Sequence, residues 1–221
     1  MSDLFREVDE EIRKDKATEF WAKHGTKLLV LATLIIAGVA GWQAYTRYEF
    51  GQRAALGAAF EAAMAEANAE KPEATASLTA LAEKKTGTYP ALARFRLASD
   101  LARKAQDEAG RKDAASAFDA LAKDASLPAE WRELASLRAA YVLLDDAPLA
   151  EIEARLTPLM AAGKPFRHSA REAFALSAWR VGNQDRALET LQQVILDTET
   201  PQNMRQRAEA MLAVVRAGVV K

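Results

Sequence analysis

The residues that could carry out chemistry are few and scattered. The chain has two histidines, His24 and His168, and no cysteine among its 221 residues. A metal site needs several imidazole, thiolate or carboxylate ligands at close spacing, and neither histidine has such neighbours in sequence. Asp145 and Asp146 lie where an apolar-periodic segment ends, a position typical of a solvated turn. We therefore predict no metal and no cofactor, and surface or helix-capping roles for the histidines.

Motifs and charge also favour a non-catalytic protein. No Gly-rich phosphate loop, GxSxG turn or HExxH helix occurs. The 31 acidic and 30 basic residues are interspersed, so no basic stripe for nucleic acid is present. The lack of cysteine excludes disulfides, thiolate metal sites and cysteine nucleophiles. We predict that the chain is not an enzyme and binds neither nucleic acid nor a small-molecule substrate.

The longest uncharged stretch, LLVLATLIIAGVAGWQAYT, runs from Leu28 to Thr46. As a helix it is apolar all round and matches the ~30 Å hydrocarbon layer of a bilayer. Trp21 before it and Trp42 and Tyr45 near its end are aromatic residues of the kind that lie at membrane interfaces. We interpret it as a transmembrane helix in contact with lipid. The alternative, a buried helix of a soluble protein, is usually shorter and has a polar face.

A cleavable signal peptide is a second alternative, because Gly38 and Ala40 form a small-residue pattern that a signal peptidase accepts. The mixed acidic and basic tail is unlike a short basic n-region and favours an uncleaved signal anchor. Basic residues within a short distance of the segment are more numerous before it than after it. Those before it are Arg13, Lys14, Lys16, Lys23 and Lys27, and those after it are Arg47 and Arg53. This bias predicts a cytoplasmic amino terminus.

The rest of the chain is rich in Ala, Leu, Glu, Arg, Lys and Gln and has few alternating β-branched runs, which predicts an all-α domain. Prolines and glycines divide it into about nine helices. Their predicted spans are 47–70, 73–85, 89–106, 111–124, 128–144, 148–162, 166–181, 184–197 and 201–218. Pro158 predicts a kink or late start in the sixth helix. Three regions follow: a tail (1–27), the membrane anchor (28–46) and a helical domain (47–221).

The helices form imperfect repeats. LARFRLASDLA, from Leu92 to Ala102, aligns without gaps to LASLRAAYVLL, from Leu134 to Leu144. The segment from Ala170 to Pro201 resembles a tetratricopeptide repeat. Its matching small, turn and packing positions are Ala175, Ala178, Gly182, Ala187 and Leu191. The resemblance implies a solenoid of about four helix pairs closed by the ninth helix as a cap.

A wider resemblance covers nearly the whole chain. The opening MSDLFREVDEEIRKDKATEFWAKHG, the single anchor, and the segments LRAAYVLL, AREAFALSAW and MRQRAEAMLAVV resemble one bacterial family. Its members are single-pass tetratricopeptide proteins classed with the ancillary Sec translocon subunit and cell-division coordinator domains. The resemblance implies an inner-membrane protein with periplasmic repeats, whose partners are the Sec translocon, periplasmic chaperones or exported clients. The alternatives are a cell-envelope or division-complex organiser and, less favoured, a soluble cytoplasmic adaptor.

One repeat suggests a partner-binding groove. If Ala175 holds the small position of the repeat's first helix, the groove-facing residues are Glu172, Leu176, Trp179 and Arg180. An aromatic side chain beside a guanidinium is a common anchor for a peptide partner. The alternative for Trp179 is core packing against the capping helix.

Overall fold

The structure is a computed structural model that describes residues 2–84 and 87–218, with the backbone alone for residues 2–13 and Ala17. The described residues form nine α-helices and no strand. These helices are α1 (Ser2–Asn68), α2 (Ala74–Ala82), α3 (Thr88–Lys104), α4 (Glu108–Ala122), α5 (Ala129–Leu143), α6 (Leu149–Met160), α7 (Arg167–Arg180), α8 (Gln184–Leu196) and α9 (Gln202–Arg216). The all-α prediction is confirmed, and α2 to α9 end within a few residues of the predicted positions.

Helix α1 is longer than the sequence predicts. The tail, the apolar segment and the helix expected over 47–70 are one unbroken helix. No proline precedes Pro72, and Gly41 and Gly51 each weaken a helix by only about 1 kcal/mol relative to alanine. The strong helix formers around these glycines outweigh that cost. The sequence boundary between anchor and domain therefore has no counterpart in the backbone of α1.

Part of α1 has the dimensions of a membrane span. Among the described residues, the stretch Lys14–Asn68 is long and apolar enough to cross a membrane by length and composition. A buried core helix and a signal sequence meet the same two criteria. The most apolar window of this stretch is not buried, and side chains such as Ile36 and Trp42 are exposed.

The chain divides into two compact units, residues 1–57 and residues 58–221. The second unit contains the end of α1 and helices α2 to α9, and it holds the buried core. Each of α2 to α8 packs against the next helix, and α7 also contacts α5 and α9. This pattern is that of stacked helix pairs, α3 with α4, α5 with α6 and α7 with α8, with α9 covering the last pair.

Small side chains allow the helices to approach closely. Ala135 and Ala140 on α5, and Ala175 and Ala178 on α7, are fully buried. Helix α8 has one buried apolar face, since Ala187, Leu191 and Val194 are fully buried and Leu188 and Ile195 are partly buried. The repeat pattern read from the sequence therefore marks side chains that pack in the core.

The turn between α7 and α8 shows why the helices end where they do. Gly182 has a φ of 78°, which favours glycine. Its N–H donates to the Trp179 carbonyl, and the Asn183 N–H donates to the Ala178 carbonyl, as in a Schellman motif. The Asn183 side chain then accepts from the Arg186 N–H and caps α8. The turn reverses the chain in few residues and brings α8 onto α7.

Helix α6 contains the proline that the sequence singles out. The helix starts at Leu149, close to its predicted start, so a late start does not occur. It ends at Met160, soon after Pro158. Pro158 has no N–H to donate to the Ala154 carbonyl, but α6 continues past it, and the helix ends where Ala161 becomes extended with a ψ of 153°.

Candidate partner-binding surface

The four residues predicted to face the groove all lie on α7, and we call the surface formed by α5, α7 and α9 the A-helix face. Glu172 of α7 is paired with Arg207 of α9. Arg207 Nε donates to Glu172 Oε1 at 2.8 Å and its Nη2 donates to Oε2 at 2.9 Å. Parallel bonds of this kind are the strong geometry for a guanidinium and a carboxylate. Glu172 therefore joins α7 to α9 within the A-helix face.

Trp179 and Arg180 have contacts inside the molecule. Trp179 is partly buried and packs against the hydrophobic core, and its indole Nε1 is buried without a hydrogen-bond partner among the described groups. Arg180 is exposed, and its Nη2 donates to the Ala147 carbonyl between α5 and α6 at 2.5 Å. The structure thus gives each of these side chains a role in packing or in joining helix pairs.

Leu176 is partly buried on α7, one turn after Glu172. On the neighbouring helix α5, the Tyr141 side chain is 38% exposed, and its hydroxyl donates to the Ser169 carbonyl of α7 at 3.3 Å. Arg138 is exposed one turn before Tyr141. Burial raises the pKa of Tyr141 above its ordinary value, and the nearby charge of Glu172 raises it further.

Sequence reasoning missed Arg138 and Tyr141, which lie in the LASLRAAYVLL segment, and it did not pair Arg207 with Glu172. The repeat alignment places both residues at repeated positions of a first helix. Arg138 aligns with Arg96, and Tyr141 aligns with Ser99. The aligned positions share a helix face, but only the stacking of α5, α7 and α9 shows which side chains meet.

Two of the three helix pairs are closed by an arginine of the first helix and an aspartate that follows the second helix. Arg94 of α3 donates to Asp124, just after α4, at 2.7 Å. Arg167 of α7 donates to Asp197, just after α8, at 2.9 Å. Both pairs join residues 30 apart in the chain. Hydrogen bonds from Ser126 and Arg94 lower the pKa of Asp124 to about 2.

The middle helix pair has the same connection with the charges reversed. Lys164, after α6, donates to Glu133 of α5 at 2.6 Å over 31 residues. We call the three ion pairs the hairpin clamps. Arg94, Glu133 and Arg167 lie at different positions along α3, α5 and α7, so the clamps share a spacing along the chain and not one position of the repeat.

A second set of ion pairs joins successive helix pairs. Arg155 of α6 donates to Asp119 of α4 at 2.5 Å over 36 residues. Arg186 of α8 donates to both oxygens of Glu153 of α6, at 2.8 and 2.5 Å, over 33 residues. The Arg186 guanidinium also lies 4.7 Å from the centre of the Phe174 ring. These separations are close to one repeat, so the bonds hold the second helices of neighbouring pairs in register.

His168 lies in a buried polar cluster and is only 7% exposed. The Thr200 hydroxyl is 2.9 Å from His168 Nδ1 and donates its own proton to a carbonyl near the end of α8 at 2.7 Å. His168 Nδ1 must therefore be the donor to Thr200. Burial lowers the pKa of His168, and Arg167 and Arg171 lower it further against the opposing effect of Asp197. The neutral ring, not the cation, fits this site.

Asp146 and His24 are the other candidates for chemistry, and the structure places Asp146 in an ion pair and His24 against an aromatic ring. Both Asp146 oxygens accept hydrogen bonds from Arg111 of α4, which lowers the pKa of Asp146. His24 lies beside the Phe20 ring, with ring centres 5.1 Å apart. Among the described residues, no group of three or more His, Cys, Asp or Glu side chains is arranged to hold a metal ion.

Comparison with known families agrees with the helical stack. Residues 18–173 match the family described as a tetratricopeptide repeat-like domain. No curated protein and no solved structure matches the chain. The matched range includes the apolar part of α1 and extends into α7, and it covers more than half of the chain. The chain therefore belongs to the tetratricopeptide repeat-like domain family.

Proposed function

We propose that this chain is a non-catalytic scaffold, anchored in the bacterial inner membrane through Leu28 to Thr46, that holds protein partners in the periplasm beside the Sec translocon. The amino-terminal tail, residues 1–27, lies in the cytoplasm, and the repeats of residues 47–221 lie in the periplasm. The partners are the translocon, periplasmic chaperones or exported clients. Repeat domains of this family act typically as protein-interaction scaffolds rather than catalysts.

The exposed apolar part of α1 is the observation that supports the anchor most strongly. Its side chains, including Leu34, Ile36 and Trp42, are more than half exposed. A surface of this size would be unfavourable in water, because each exposed apolar side chain forgoes about 1.5–3 kcal/mol of burial. Lipid contact removes that cost without a protein partner.

The A-helix face supports the binding role. Stacked repeats form an extended surface on their first helices, and α7 contacts α5 on one side and α9 on the other. We propose Glu172, Leu176, Trp179 and Arg180 as the contribution of α7 to this surface. Leu176 supplies apolar contact, Glu172 positions Arg207, and Trp179 and Arg180 fix the helix against its neighbours.

The anchor is tested by extracting isolated membranes with alkaline carbonate. A transmembrane helix satisfies its backbone polar groups within the bilayer and stays in the pellet. Release of the chain into the supernatant would reject the anchor and favour the soluble adaptor. A chain with charged residues at Leu34 and Ile36 serves as the control and is expected to be released.

The partner is tested by photocrosslinking in intact cells, with a photoreactive amino acid in place of Leu176. We expect crosslinks to translocon subunits, periplasmic chaperones or exported chains. Crosslinks to division or peptidoglycan-synthesis proteins instead would support the envelope organiser. The same amino acid in place of Ser116, exposed on α4, is the control for contacts outside the A-helix face.

A further inference from the structure

The ion pair between α7 and α9 presents its cation to solvent and hides its carboxylate. In the pair between α7 and α9, the Arg207 side chain is 54% exposed whereas that of Glu172 is 13% exposed. Both Glu172 oxygens accept hydrogen bonds from Arg207 Nε and Nη2. The third nitrogen, Arg207 Nη1, makes no hydrogen bond to the part of the chain that the structure describes. The pair therefore offers a guanidinium, not a carboxylate, to an arriving partner.

A second cation lies on α5. Arg138 is exposed, and no carboxylate within the described residues pairs with it. Arginine stays charged at every relevant pH and binds carboxylates through two parallel hydrogen bonds. The next exposed carboxylate along α5 is Asp145, which lies beyond the end of the helix at Leu143. Two other exposed carboxylates lie on these helices, but Glu130 is about two turns before Arg138 on α5, and Glu209 lies about 160° around α9 from Arg207. The exposed charge near Arg138 and Arg207 is thus positive.

Apolar surface lies between the two cations. Tyr141, one turn after Arg138, is 38% exposed, and its ring borders α7 through the bond to Ser169. Leu176 is partly exposed on α7, one turn after the residue that holds Arg207. The charges of Arg138 and Arg207 both act on the Tyr141 hydroxyl, in the direction that lowers its pKa, so Tyr141 lies near both guanidiniums. Leu176 lies on α7, the helix that contacts both α5 and α9.

We propose that the A-helix face binds an acidic peptide segment in which carboxylates flank a large apolar side chain. The carboxylates pair with Arg138 and Arg207, and the apolar side chain packs against Tyr141 and Leu176. This inference rests on the proposed scaffold function and names the chemistry of the segment that it recognises. Charge complementarity supplies the specificity, and the apolar contact excludes water from the centre of the surface.

The experiment uses the full chain in nanodiscs of uncharged phosphatidylcholine and a fluorescein-labelled peptide of glutamates flanking two leucines. Fluorescence anisotropy measures binding, with two matched peptides in which glutamine or lysine replaces glutamate. Empty nanodiscs control for binding to lipid. We expect the glutamate peptide to bind tightest, and its binding to weaken with added salt, since exposed charges are screened.

Two charge-reversal variants test whether peptide binding depends on the A-helix face or on any exposed arginine. Arg138→Glu is expected to weaken binding of the glutamate peptide by about tenfold or more. Arg216→Glu makes the same change about two and a half turns after Arg207, on the opposite side of α9, and is expected to change binding little. Arg138→Gln serves if the first variant does not fold, as judged by circular dichroism, and is expected to weaken binding in the same direction.

Several results would overturn the inference. Equal or tighter binding of the lysine peptide, binding of no peptide, or equal effects of Arg138→Glu and Arg216→Glu would each reject recognition of an acidic segment. The proposed scaffold would survive any of these results if the Leu176 photocrosslinks to export factors were retained. Loss of those crosslinks would reject the scaffold itself.

Discussion

Trp179 and Leu176 lie on the same helix but differ in what surrounds them. Trp179 packs against the hydrophobic core, while Leu176 is partly exposed toward the A-helix face. The buried Trp179 Nε1 without a partner shows that the ring is placed by packing and not by a hydrogen bond. At this scale the sequence left two roles open for Trp179. The helical period does not distinguish a side chain that faces the groove from one that packs against a neighbouring helix.

Replacing Trp179 by alanine tests its packing. We expect Trp179→Ala to lower the free energy of unfolding by about 2–4 kcal/mol, because a large ring leaves the core edge. Leu176→Ala is the matched change on the exposed side, and we expect it to cost about 1 kcal/mol or less. Urea unfolding of the full chain in detergent measures both. A smaller loss for Trp179→Ala than for Leu176→Ala would show that the tryptophan is a surface residue.

His168 gives the stability of the last helix pair a pH dependence. Its pKa is held below the ordinary value of 6.5, so the unfolded chain takes up the proton first as the pH falls. The contribution of neutral His168 is complete above that value and is lost as the pH falls toward the pKa in the folded state. Protonation would also place a cation beside Arg167 and Arg171.

We therefore expect the free energy of unfolding to fall as the pH drops below about 6.5, and to fall less in His168→Gln. Glutamine keeps an N–H donor for Thr200 but does not titrate. His24→Gln is the control, since it makes the same substitution at the other histidine of the chain. An identical pH profile for His168→Gln and the unchanged chain would contradict a depressed pKa at His168.

At the scale of elements, the hairpin clamps hold the first half of one helix against the residues that follow the next helix. The sequence predicts the helices well, because proline, glycine and apolar period are local signals. It does not reveal the clamps, which join residues 30 or 31 apart in the chain. Such pairs depend on the register of helix stacking, and surface charges are too numerous for spacing alone to select the partners.

The reversed clamp of the middle helix pair allows a charge-swap test. We expect Glu133→Lys and Lys164→Glu each to destabilise the protein by about 0.5–1 kcal/mol, because each places like charges together. The double exchange restores the pair, so it should cost less stability than the two single changes added together, by about 1–2 kcal/mol. Chemical denaturation of the four chains measures the coupling. Strict additivity would show that the clamp contributes nothing to stability.

At the scale of the whole molecule, function depends on where the repeats are held. The sequence predicts the anchor segment and the stack of helix pairs, but not the continuity of α1 through Asn68. Composition marks the apolar part clearly, whereas nothing in the residues from Arg47 onward distinguishes a new helix from a continued one. The proposed direction of the proposed membrane crossing rests on the basic residues on either side of the apolar segment.

Side-specific labelling of single cysteines tests the account most directly, because the natural chain contains no cysteine to interfere. Ser116→Cys places a thiol at an exposed position on α4, and Lys16→Cys places one before the apolar segment. In bacterial spheroplasts treated with a membrane-impermeant maleimide, we predict labelling of Ser116→Cys at once and of Lys16→Cys only after lysis. Labelling of Ser116→Cys only after lysis would place the repeats in the cytoplasm and contradict the account.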